Sequence, residues 1–154
     1  MKTDPELRYK TLLSKLQERG SRLTSHRLAL LRLLAVSEGH PNASQLYEKL
    51  RVQFPTVSLA TIYKTLTLLK EEGEVLEIDL HDDSHYDGAK PYPHPHLICN
   101  RCGGIIDGDE AQSFLKFNEE IEEKYHFQIT RPQLVFYGVC QNCREKYLGN
   151  KEVL

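Results

Sequence analysis

No run of apolar residues in this 154-residue chain approaches the roughly 18 that a membrane-spanning helix needs. The opening stretch, MKTDPELRYK, lacks the apolar core of a secretory signal. These two absences lead to the expectation of a cytoplasmic protein with no membrane partner. The chain also lacks a surplus of either charge, since 20 Lys and Arg stand against 22 Asp and Glu, a formal net of −2. It has no low-complexity segment and no internal repeat beyond one paired cysteine motif. Cysteine is scarce, at four residues, and a cytoplasmic chain is not expected to hold them as disulfides. What remains, 40% hydrophobic and 27% charged residues, is the composition of a soluble globular protein. The length suits one ordinary domain or two small ones.

The near-zero net charge hides a split. Residues 1–73 carry 12 Lys and Arg against 7 Asp and Glu, a net of +5, whereas residues 74–154 carry 8 against 15, a net of −7. A basic front and an acidic back fit a chain whose front alone meets an anionic partner, although charge also varies by chance along any chain.

Helical periodicity dominates that front half. Residues 5–19 are predicted as a first helix with Leu12, Leu13 and Leu16 on one side, stopped by Gly20. Thr24 caps a second helix to about Val36, with Leu28, Leu31 and Ala35 at helical spacing. After the break at Gly39-His40-Pro41, Asn42 with Gln45 forms a capping-box pattern for a third helix carrying Leu46 and Leu50, ended by Phe54-Pro55. Ser58 caps a fourth helix, about Leu59 to Glu72, closed by Gly73. Its expected inward stripe is Leu59, Ile62, Leu66 and Leu69. The period then switches to two at Leu76, Ile78 and Leu80, which reads as a strand, with Asp82-Asp83-Ser84 as a turn and His85-Tyr86-Asp87 as the return.

Several short helices followed by a hairpin make a winged helix-turn-helix, with the fourth helix as the recognition helix. Its outward residues, Ala60, Thr61, Tyr63, Lys64 and Thr67, with Ser58 at the cap and Arg27 on the second helix, are the candidate DNA contacts. Alanine and threonine methyls suit thymine methyls, while Lys64 and Tyr63 can reach phosphates or base edges. The competing reading is a small helical domain with an amphipathic last helix and no nucleic-acid role.

Three prolines in GAKPYPHP, residues 88–95, cannot continue a helix or fill a central strand, and the stretch reads as a semi-rigid hinge. Beyond it, strands are predicted at His96–Cys99, Gly104–Asp107, Phe127–Ile129 and Leu134–Val139. A helix over about 111–126 carries Phe114, Ile121 and Tyr125 on one face. The expected class is α+β: a winged-helix domain over 1–87, the hinge, and an α/β dimerisation domain over 96–154.

All four cysteines fall in two C-x2-C pairs, Cys99/Cys102 and Cys140/Cys143, and Gly103-Gly104 follows the first as a tight knuckle requires. Two such knuckles complete a closed tetrahedron, the arrangement of structural Zn2+. The 37 residues between the pairs are too many for a compact zinc ribbon, so zinc would tie the end of the domain to its start. A redox dithiol pair and four unrelated thiols are the rivals.

Five of the seven histidines lie between positions 40 and 96. His94 and His96 form an i, i+2 pair that a strand would point to one face. With His40, Asp87 and Asp107 they offer three nitrogens and two carboxylates, a set suited to Fe2+, Mn2+ or Zn2+ rather than to a thiolate-seeking ion. Taken singly, each of these side chains reads equally as a solvated surface residue.

These segments together carry a family resemblance. RLTSHRLALL (22–31), HPNASQLY (40–47), SLATIYKTLTLLKEEG (58–73), HPHLICNRCGGIID (94–107) and YGVCQNC (137–143) make the chain similar to the ferric uptake regulator family along nearly its whole length. The resemblance implies a homodimeric metalloregulator that binds a palindromic double-stranded operator. By position, Cys99, Cys102, Cys140 and Cys143 match the family's structural zinc ligands, and His40, Asp87, His94, His96 and Asp107 match its regulatory site for Fe2+ or Mn2+. Asp87 and Asp107 stand where the iron-uptake branch usually carries Glu, which makes the chain more similar to the peroxide-responsive repressors. In that branch the resemblance implies oxidation of a ligand histidine by peroxide. A further family site uses positions interleaved with the histidine pair; here they are Pro93 and Pro95, which cannot ligate through a side chain. His26 stands where the family commonly has Gln.

The alternatives are control of iron, manganese or zinc uptake within the same family, a metal-storage module, and an enzyme. A storage module needs neither the polar face of the fourth helix nor the charge split. A thiol oxidoreductase needs one exposed low-pKa pair at a helix start, and a catalytic zinc needs an open position that four cysteines leave closed. No enzymatic activity is expected.

Overall fold

The computed structural model describes residues 4–37, 39–80 and 83–149. The chain divides into two compact units between Pro91 and Tyr92. No helix among the described residues is long and apolar enough to cross a membrane.

The first unit holds α1 (Pro5–Glu18), α2 (Ser25–Val36), α3 (Ala43–Gln53) and α4 (Leu59–Glu71), then β1 (Leu76–Leu80) and β2 (Asp83–Asp87). Each helix starts where a side chain can take up an orphan backbone N–H. Asp4 accepts from Glu6, Thr24 from Arg27 and Ser58 from Thr61. Asn42 and Gln45 exchange both bonds of a capping box. Gly73 at φ +71° follows α4, a left-handed turn that a side chain would strain. Leu12, Leu16, Leu30, Leu31, Leu34, Leu46, Leu50, Ile62, Leu66 and Leu69 make one core among the helices.

Two details of α4 differ from the sequence reading. Leu59 is 38% exposed, and Val57 is buried in its place. Val57 precedes the Ser58 cap, so it can pack with Ile62 as a hydrophobic staple, while the first helical residue points away. Thr65 is also fully buried. Its hydroxyl donates to the Thr61 carbonyl at 2.8 Å, so burial leaves it no unmet hydrogen bond. The hairpin pairs Leu76 with Asp87 and Leu80 with Asp83, so Asp83 and Ser84 are already strand rather than turn. Residues 81 and 82 lie outside the described residues.

The second unit holds β3 (His96–Cys99), β4 (Ile105–Asp107), α5 (Ala111–Tyr125), β5 (Val135–Gly138) and α6 (Gln141–Gly149). Its sheet has the order β4-β3-β5, with β4 antiparallel and β5 parallel to β3. No strand forms at Phe127–Ile129. His126 takes a left-handed conformation at φ 52°, and the N–H groups of His126 and Phe127 both return to the Glu122 carbonyl. The Ile129 N–H goes to the Glu122 carboxylate at 2.5 Å. The Phe127 and Ile129 donors are spent closing α5 and cannot join a ladder. Helix α6, which the sequence reading did not anticipate, opens directly after Cys140. The unit's buried hydrophobic set is small: Ile98, Cys99 and Phe114.

Candidate metal centres

The four cysteines converge. Cys99 ends β3 and Cys102 closes the knuckle after it, where the Gly103 N–H donates to the Cys99 carbonyl at 2.9 Å. Cys99 N–H pairs with the Gly104 carbonyl, and Asn100 N–H with that of Gly138, so the sheet holds both knuckles side by side. All four sulfurs lie within 4.8 Å of one another, and Cys102 Sγ stands 3.8 Å from Cys140 Sγ. A tetrahedron with metal–sulfur bonds of about 2.3 Å has edges of about 3.8 Å, so this spacing fits Zn2+.

The electrostatics agree. Backbone N–H donors, first that of Cys140 (3.3 Å from Cys99 Sγ) and then those of Cys102 and Arg101, bring the Cys99 thiol down to about 6. Its neighbours push the other way at Cys143: the Cys140 sulfur first, then burial, raise that thiol to about 12. Four thiolates packed this closely cannot all hold charge alone, and a divalent cation resolves the repulsion. The described cysteines form no disulfide.

The histidines and aspartates form two half-sets, one in each unit. In the first, His40 Nε2 stands 3.5 Å from Asp87 Oδ2, both side chains buried. Asp87 closes β2, and its Oδ1 accepts the N–H groups of Ala89 and Lys90 at 3.0 and 2.9 Å. That turn fixes the carboxylate so that Oδ2 faces His40. In the second, His96 and Asp107 are cross-strand partners in β3 and β4. His94 Nε2 and His96 Nε2 lie 3.2 and 3.7 Å from the same Asp107 Oδ1. His94 Nδ1 lies 2.8 Å from the Tyr92 carbonyl. That carbonyl can only accept, so Nδ1 carries a proton, and in the neutral ring Nε2 keeps its lone pair for a ligand. Buried imidazole nitrogens converging on a carboxylate oxygen fit a borderline divalent ion such as Fe2+, Mn2+ or Zn2+.

On α4, Ser58, Ala60, Tyr63, Lys64 and Thr67 are exposed and Thr61 is half-buried. Ser58 Oγ also pairs with Thr61 Oγ1 at 3.0 Å. Arg27, half-buried on α2, donates to the Arg22 carbonyl at 2.9 Å. His26 packs edge-on against Phe54, with ring centroids 5.2 Å apart.

Two residues near these centres escaped the sequence reading. Arg8 is a buried cation on the core face of α1, donating to Gly88 beside Asp87. Its only sequence signal is its position four residues before Leu12. His85, on β2, stands against the backbone of His40.

Comparison with known proteins agrees with this architecture. The ferric uptake regulator family model matches residues 18–137. The peroxide-responsive repressor PerR of Staphylococcus aureus is 34% identical over 134 residues, covering 87% of this chain and 90% of that protein. The solved peroxide stress regulator of Campylobacter jejuni superposes with a TM-score of 0.67 at 31% identity, over 85% of this chain and 98% of that one. A zinc uptake regulator solved with zinc and DNA superposes at 0.70 with 26% identity, over 96% and 99% of the two chains. With a winged helix-turn-helix, a second unit built around four converging cysteines, and a family match across most of its length, the chain belongs to the ferric uptake regulator family of metal-responsive transcriptional regulators.

Proposed function

We propose that this protein is a peroxide-responsive repressor that binds DNA as a metal-loaded homodimer. The observation that carries the reading is the composition of the two half-sets: three imidazoles and two aspartates, with no thiol among them. Cys99, Cys102, Cys140 and Cys143 would hold structural Zn2+. His40, Asp87, His94, His96 and Asp107 would together hold a regulatory Fe2+ or Mn2+, across the hinge at residues 88–95. Bound Fe2+ would supply the redox chemistry with peroxide that Mn2+ and Zn2+ do not. The 34% identity to a peroxide-responsive repressor supports this signal.

Within the protein, His94 and His96 would have to be neutral to ligate, and in a neutral His94 the Tyr92 carbonyl selects the tautomer that leaves Nε2 free to do so. One ion drawing on both units would restrict their relative movement. Two recognition helices in a homodimer would then keep the spacing of a palindromic operator. A small core and exposed apolar side chains on the second unit's sheet, Ile106, Leu97 and Phe136 in one cross-strand row, support its role in dimerisation. The exposed face of α4 supports its role in the major groove.

The test is operator binding by iron-loaded and manganese-loaded protein with and without peroxide. Peroxide should release the iron-loaded form alone, with one added oxygen on His40 or His94 by mass spectrometry. Iron-loaded protein that stays on DNA in peroxide would leave an iron- or manganese-uptake regulator as the better account.

A further inference from the structure

Strand β2 is laced to the segment that carries His40. The Tyr86 N–H donates to the Pro41 carbonyl at 2.9 Å. Asn42 and His85 form an antiparallel bridge, and Asn42 Nδ2 donates to Asp83 Oδ2 at 2.6 Å. His85 Nδ1 lies 2.5 Å from the carbonyl oxygen of His40 itself. Residues 40–42 therefore lie alongside β2, joined to it by a single bridge and these flanking bonds. Two residues beyond His85, the same strand ends in Asp87. One side chain thus holds the backbone of His40 from a strand whose end presents Asp87. The oxygen can only accept, so the ring nitrogen donates.

We propose that His85 is a positioning residue for the His40–Asp87 half-set, and that through it the wing is mechanically tied to metal occupancy. The inference rests on the reading that His40 and Asp87 ligate a regulatory ion. An ion that fixes His40 against Asp87 steadies β2 against residues 40–42. By the same linkage, a β2 held there by His85 prearranges the pair for the ion. Without the bond, the Tyr86–Pro41 contact still tethers the strand, but the His40 peptide loses the restraint that orients its ring toward Asp87. A hydrogen bond that merely stabilised the hairpin would change its stability and leave metal affinity alone.

The experiment uses the full-length zinc-loaded protein, with Mn2+ as the probe. Calorimetric titration and amide exchange are compared for wild type, His85→Ala, His85→Asn and His40→Ala. An asparagine side-chain N–H can stand where Nδ1 does. His85→Ala should bind Mn2+ roughly 10-fold more weakly, as losses of ligand-orienting partners commonly do, while keeping its zinc. His85→Asn should recover most of the affinity. Mn2+ should slow amide exchange across the hairpin in the wild type and much less so in His85→Ala. A folded His85→Ala with wild-type Mn2+ affinity would overturn the inference, and so would a His85→Asn as weak as the alanine variant. If His40→Ala leaves Mn2+ binding unchanged, the regulatory-site reading itself falls and takes this inference with it.

Discussion

Arg8 is 3% exposed and spends its guanidinium on both ends of the hairpin. Nε donates to the Gly88 carbonyl at 2.6 Å, just after β2. Nη1 meets the Glu74 carboxylate at 2.6 Å, and Nη2 donates to the Glu74 carbonyl, just before β1. Arg8→Met keeps much of the volume and removes the charge. The Glu74 side chain, only 13% exposed, then holds an uncompensated charge, and the Gly88 carbonyl loses its donor. Breaking a buried pair from one side costs about 3–5 kcal/mol. With a urea m-value of about 1–3 kcal/mol/M, the unfolding midpoint of the first unit should fall by about 1 M or more, read by circular dichroism. Adding Glu74→Leu should recover part of the loss, because a fully apolar replacement strands no charge. A loss below about 1 kcal/mol would refute the reasoning, because that is the range of solvent-screened surface pairs. Gly88 directly follows Asp87, so the same variant should also weaken regulatory metal binding while leaving the zinc in place.

Three further outcomes are expected. Cys99→Ser or Cys140→Ser should lose the tightly held zinc and unfold the second unit, since metal binding there is part of folding; full zinc in both variants, by elemental analysis, would contradict the assignment. Burial, followed by Glu77, pushes the Tyr86 phenol up to about 12. The neutral form is favoured in the fold, so the unfolded chain ionises first. This contribution is intact below pH about 10 and is lost between there and about 12. Alkaline denaturation should therefore be shallower in Tyr86→Phe than in wild type. Lys64→Ala should weaken operator binding and lower the salt slope by about 1, measured by fluorescence anisotropy across a salt series; an unchanged slope would remove Lys64 from the phosphate contacts.

The helices of the first unit were legible because their signals are local. Thr24, Asn42 and Ser58 each cap within three residues of their own position. Local signals also mislead where a local alternative competes. Phe127–Ile129 has strand composition, yet the N–H groups of Phe127 and Ile129 lie within reach of Glu122 and go there. Leu59 has the right spacing for the core, but the staple geometry gives that place to Val57. Helix α6 was missed because its apolar pattern is weak; what positions it is the knuckle that holds Cys140 and Cys143.

The same distinction separates the two candidate centres. A C-x2-C knuckle is a complete local device, so four cysteines in two knuckles announce a closed tetrahedron from spacing alone. The candidate histidine and aspartate ligands come from a break, a strand end, a strand entry and a second strand end, and only His94-x-His96 carries a spacing signal. For the other three, chemistry is assigned by what holds them: the Ala89–Lys90 turn at Asp87, the register of His96 with Asp107, and the lacing of residues 40–42 to β2. The turn at Asp87 is local, but the bond from His85 to His40 spans 45 residues, and the bond from Arg8 to Gly88, beside that turn, spans 80. A ligand set is therefore readable by type, whereas the residues that aim it are readable only in the folded chain. Any difference in metal response among relatives that share the ligands should lie in such aiming residues.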